Sequence, residues 1–71
     1  MNRKKRTRKM NRCYEEYCLR HNFKRFDSEI MWAVDTEDDE NYYWNFGYPP
    51  LNKKLQLVYE NKTEKTYVKE V

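Results

Sequence analysis

The sequence predicts an α+β domain in which a basic N-terminal arm and one amphipathic helix precede a four-stranded antiparallel sheet made of two hairpins. Three observations carry this expectation. Apolar residues recur at helical spacing between Thr7 and His21, they alternate at strand spacing after Asp27, and the sign of the charge reverses where the period changes. A chain of 71 residues buries only about 60% of its unfolded surface, which leaves room for one core and no second domain.

Residues 1–9 are expected to form a flexible arm and residues 10–71 the domain. Arg3, Lys4, Lys5, Arg6, Arg8, Lys9 and Arg12 fall within the first twelve positions with no acid among them, and such a run repels itself until an anion meets it. In the helix that follows, Met10, Cys13, Tyr14, Tyr17, Cys18 and His21 recur at three- and four-residue steps and define one face. Arg12, Glu15, Glu16 and Arg20 fall outside that stripe, and Glu16 precedes Arg20 in the i,i+4 order that supports a helix. Asn22 suits a left-handed stop, after which Phe23 and Phe26 are expected to fold under the helix.

The first strand is expected around Ile30, Trp32 and Val34, with Met31 and Ala33 on its other side. A helix over residues 29–38 capped by Ser28 competes with it, but the β-branched and aromatic residues favour the strand. Residues 36–41 read as a polar hairpin loop longer than two residues, and Tyr42, Trp44 and Phe46 alternate with Tyr43 and Asn45 in the second strand. Pro49 and Pro50 lack donors and favour an extended connection, so one hairpin is expected on each side of them. Leu55, Leu57 and Tyr59 mark the third strand, and a turn near Asn61 and Lys62 leads to a fourth with Tyr67 opposite Val68 in facing.

The core must be built on rings. Of 27 hydrophobic residues 12 are aromatic, whereas Ala, Val, Ile and Leu together supply ten. Trp32 and Trp44 are assigned to that core, since large rings dominate small interiors. Tyr42 to Tyr48 holds more rings than one face needs, so Tyr43 and Tyr48 are expected to stay exposed.

The overall charge of +3 conceals a division into +8 over residues 1–26 and −5 over residues 27–71. An enzyme is not expected: there is one histidine, no nucleophile motif, and little volume for a substrate pocket. No metal or cofactor is expected either. Cys13, Cys18 and His21 lack the second ligand pair of a zinc module, and two cysteines about 140° apart on a helical wheel cannot join in a disulfide. The acids Asp35, Glu37, Asp38, Asp39 and Glu40 lack the central glycine and terminal glutamate of a calcium loop.

The leading expectation is a small binding protein that engages nucleic acid, DNA or RNA, or a ribonucleoprotein through Arg3, Lys4, Lys5, Arg6, Arg8, Lys9, Arg12 and Arg20. The alternative is an inhibitor or adaptor of the kind carried by phages and other mobile elements. It would use Asp38, Asp39, Glu40, Tyr43 and Tyr48 to occlude a nucleic-acid-handling protein. No membrane span is expected, the location is expected to be cytoplasmic and reducing, and unpaired sheet edges are compatible with a homodimer.

Overall fold

A computed structural model describes residues 3–71. It consists of one helix, α1 (Arg3–Arg20), followed by strands β1 (Met31–Trp32), β2 (Thr36–Glu37), β3 (Asn41–Tyr48), β4 (Lys53–Glu60) and β5 (Thr66–Glu70). All pairings are antiparallel, in the order β1-β3-β4-β5, with β2 also on β3. The α+β architecture expected from the sequence is therefore present.

The helix lies across one face of the sheet. Met10, Tyr14 and Cys18 project from α1 onto Phe46, Tyr48, Leu55, Leu57 and Tyr59, every one of them buried, with Cys13, Tyr17, Trp44 and Val68 packed around them. Tyr14 stands at the centre: its ring meets Phe46 edge-on at 5.4 Å and Trp32 at 5.2 Å, and its hydroxyl donates to the Arg25 carbonyl at 2.9 Å. Such ring pairs contribute about 0.5–1.5 kcal/mol each beyond their buried area, which offsets the shortage of aliphatic residues.

The helix ends as its sequence predicts. Asn22 adopts φ 63, Phe23 N–H donates to the Cys18 carbonyl, and Asn22 N–H donates to that of Leu19. These two bonds form a Schellman motif, which satisfies the last carbonyls and turns Phe23 inward. Phe23 is buried and stacks on Tyr48 at 4.0 Å, but Phe26 stays 83% exposed beneath the Arg25 guanidinium instead of folding under.

Four other expectations need correction. The helix starts at Arg3, so residues 3–9 are helical rather than an extended arm; Met1 and Asn2, the first two positions of that arm, lie outside the described residues. Pro49–Leu51 is a 3-10 turn closed by left-handed Asn52 (φ 53), so it joins β3 to β4 in a third hairpin, between the two that were expected. The acidic loop is tighter than expected, because Asp38 N–H donates to the Asn41 carbonyl and the Asp38 carboxylate receives the N–H groups of Glu40 and Asn41. Trp32, assigned to the core, is 52% exposed, because it lies on the marginal strand with one ring face on Tyr14 and Phe46.

The first strand is also interrupted. Trp32 pairs with Phe46 and Thr36 with Tyr43, so four residues advance on one side against three on the other, and Val34–Asp35 forms a bulge. The Asn45 side-chain amide donates to the Val34 carbonyl at 2.8 Å and to the Thr36 hydroxyl at 3.0 Å, which satisfies the group that the bulge removes from the ladder. Leu57 is fully buried at the centre of the sheet, and Leu57→Ala is expected to cost about 2–5 kcal/mol in denaturant unfolding.

Candidate nucleic-acid interface

The basic residues of α1 divide according to the face they occupy. On the side facing the turn between β4 and β5, Lys5 Nζ lies 3.1 Å from Glu64 Oε1, and Lys9 Nζ lies 3.3 Å from the Glu64 carbonyl and 3.9 Å from the same carboxylate oxygen. Arg6 lies over the Tyr42 ring at 3.8 Å from its centre, and Tyr42 in turn donates its hydroxyl to Asp35 at 2.7 Å. These contacts explain why residues 3–9 can be helical: they answer part of the repulsion that would keep the run extended.

Glu64 occupies the turn between β4 and β5 at φ 63, a region that side chains adopt only when their surroundings hold them there. Its N–H donates to the Glu60 carbonyl at 2.8 Å, which fixes the turn, and its other carboxylate oxygen accepts the Tyr59 hydroxyl at 3.3 Å. The Lys5 ammonium, followed by Lys9 and the Tyr59 hydroxyl, holds this carboxyl below the ordinary glutamate value. No sequence signal singled out Glu64, since its lysine partners lie more than fifty positions away.

The outer face of α1 differs. Arg3, Arg8 and Arg12 are exposed and enter no ion pair among the described residues, and Lys4 lies on the same exposed side, in one row with Arg8 and Arg12 at four-residue steps. The row spans about 12 Å along the axis at 1.5 Å per residue. Arg20 is exposed at the far end of the helix, two turns beyond Arg12, with Glu15 and Glu16 between them. The row thus gathers Lys4, Arg8 and Arg12, with Arg3 exposed beside its first residue, and leaves Lys5, Arg6, Lys9 and Arg20 outside it.

The first turn of α1 contains no acid. Cations at this end oppose the helix dipole by about 0.3–1 kcal/mol each at low salt, so an anion brought to this end would relieve both the dipole and the mutual repulsion. Next to the row, Asn11, Tyr14, Arg25, Phe26, Trp32, Asp35 and Trp44 line a concavity of about 380 Å³. Asn11 lies one turn beyond Arg8, and the half-exposed Trp32 ring forms part of the wall.

The acidic hairpin is organised for a different role. The Asp38 carboxylate accepts two backbone N–H groups and the Tyr43 hydroxyl at 2.7 Å, and these bonds lower its pKa, with the Tyr43 bond foremost. Tyr43 is half-buried on the uncovered face of the sheet, and Tyr48, expected to be exposed, is 7% exposed because its ring stacks on Phe23 and its hydroxyl donates to Asp27 at 2.9 Å. Of the five residues of that alternative, Asp39 and Glu40 remain as exposed charges outside a structural bond of their side chains.

Cys13 and Cys18 are free thiols, both pushed up in pKa chiefly by burial. Among the described residues no group of three His, Cys, Asp or Glu side chains is placed to hold a metal ion, and no helix is long and apolar enough to cross a membrane. Comparison with protein-family models, with curated proteins and with solved structures finds no match to this chain.

The Glu64 contacts predict a pH dependence. Because its folded-state pKa is depressed, the carboxylate contributes its full stabilisation above the ordinary value of 4.5, and that contribution is lost as the pH falls through the lower native value. Thermal unfolding followed by circular dichroism is expected to show the wild type more stable than Glu64→Gln at about pH 7, with the difference shrinking as the pH is lowered below 4.5.

Proposed function

We propose that the protein binds nucleic acid through the exposed row Lys4, Arg8 and Arg12, with the neighbouring Arg3, on the N-terminal half of α1. The observation that carries this reading is the exposure of Arg3, Arg8 and Arg12 outside any ion pair among the described residues, at a helix end with no acid in its first turn. Phosphates spaced along a strand match a row of this length, and guanidinium groups fork onto phosphate oxygens more effectively than ammonium groups do. The helix is already docked by Lys5, Arg6 and Lys9, so little chain ordering has to accompany binding.

Trp32 favours a strand with unpaired bases over a closed duplex. Its ring is 52% exposed at the wall of the concavity beside Asn11, where a base emerging from a phosphate path along Arg8 and Arg12 can stack. The acidic hairpin is less suited to the alternative role as a protein-blocking surface, since Asp38 closes its own turn and Tyr48 is part of the core.

Titration of labelled single-stranded and duplex oligonucleotides at increasing salt tests the proposal. Affinity is expected to fall linearly on a log–log plot, and Arg8→Ala with Arg12→Ala to make the slope shallower by about one for each residue removed. A slope that is unchanged in the double variant, or no binding at low salt, would overturn the reading. Trp32→Ala is expected to weaken binding of single strands by about 1–3 kcal/mol and to leave duplex binding unchanged.

A further inference from the structure

We propose that β5 pairs edge to edge with β5 of a second copy, making a two-fold symmetric dimer whose sheet continues through both chains. This does not rest on the nucleic-acid reading. Among the described residues β5 has β4 on one side and nothing on the other. The bonds from Val71 N–H to the Lys54 carbonyl and from Glu60 N–H to the Lys65 carbonyl set the alternation of the ladder. Lys65, Tyr67, Lys69 and Val71 therefore turn their backbone groups toward β4, and Thr66, Val68 and Glu70 turn theirs outward.

That outward set is self-complementary. With a two-fold axis at Val68, the middle residue of the strand, Val68 exchanges both bonds with Val68 of the second copy and Thr66 does so with Glu70. Every outward backbone group of the strand then has a partner. Lysines on an edge ordinarily deter such pairing. In this register Lys69 falls opposite Tyr67, whose 41% exposed ring can receive a cation, and Lys65 falls opposite Val71, so no lysine faces a lysine.

The helix layer fits the same axis. Glu16, Tyr17 and Arg20 of α1 share a concavity of about 380 Å³ with Thr66, Tyr67 and Val68, so the axis passes beside the stretch of helix between Glu16 and Arg20. A two-fold operation makes α1 antiparallel to its copy and sets Glu16 of one chain opposite Arg20 of the other. Neither side chain enters an ion pair within the chain among the described residues. The basic N-terminal halves of the two helices point away from each other. At the sheet's other edge β1 and β2 are two residues each and separated by the Val34–Asp35 bulge, so no comparable ladder exists there.

Sedimentation equilibrium of the full chain over a range of concentrations tests the dimer. The mass is expected to rise from the 9.0 kDa of one chain toward twice that value. Glu16→Arg alone and Arg20→Glu alone are each expected to lose the dimer, and an equimolar mixture of the two to regain it, because both cross-pairs re-form in the mixed species. Val68→Pro removes an outward N–H while leaving the bonds to β4, and is expected to be monomeric with its circular dichroism retained. A wild type that stays at the mass of one chain overturns the proposal, as does a mixture that fails to recover association. The charge-reversed pair decides the matter if Val68→Pro does not fold.

Discussion

Glu64 stands in a left-handed turn between β4 and β5, and from there it receives Lys5, Lys9 and Tyr59 at once. The sequence places seven cations ahead of the first acid, Glu15, so a helix through that run needs an anion supplied from elsewhere in the chain. A carboxylate on the second half of the molecule, positioned by a turn whose geometry disfavours most side chains, fulfils that need. It reinforces the position of α1 that burial of its apolar stripe sets. With Lys5 and Lys9 drawn to one side, the stripe Met10, Tyr14 and Cys18 meets the sheet and the row through Arg8 and Arg12 is left facing water.

The core shows how a chain short of aliphatic residues achieves cohesion. Tyr14, Phe46, Trp32 and Trp44 meet edge-on or tilted at centroid distances of 5.2–6.3 Å, while Phe23 and Tyr48 stack flat at 4.0 Å. Rings carrying a polar tip must still satisfy it. Tyr14 does so on the Arg25 carbonyl, Tyr48 on Asp27 and Tyr59 on Glu64, so each buried phenol ties the core to a loop outside it. Burial is the leading cause that pushes the pKa of all three phenols up from the ordinary value of 10.

Period and chemistry made much of this legible in advance. The spacing of Met10, Cys13, Tyr14, Tyr17 and Cys18 identified the buried face of α1, the αL preference of Asn22 identified its end, and alternation in residues 42–48 and 55–59 identified the central strands. What escaped depended on contacts distant in sequence or on two neighbouring features acting together. The start of α1 needed Glu64; the break in the first strand needed the Asn45 amide; the burial of Tyr48 needed Phe23 turned inward by the Schellman motif. For the candidate interface, charge counting found the right segment but could not divide it. Which cations hold the helix and which face solvent depends on a third dimension that a one-letter string does not contain.

The Val34–Asp35 bulge has a consequence for how far the molecule can grow. A sheet with two smooth edges can add copies without limit and become a fibre, whereas here one margin is split into two two-residue strands and pinned in that state by Asn45. The remaining margin can be used once. With β5 used as proposed, assembly along the sheet would end at two chains, and one extra residue in the outermost strand would keep a protein rich in aromatic strand residues from open-ended polymerisation.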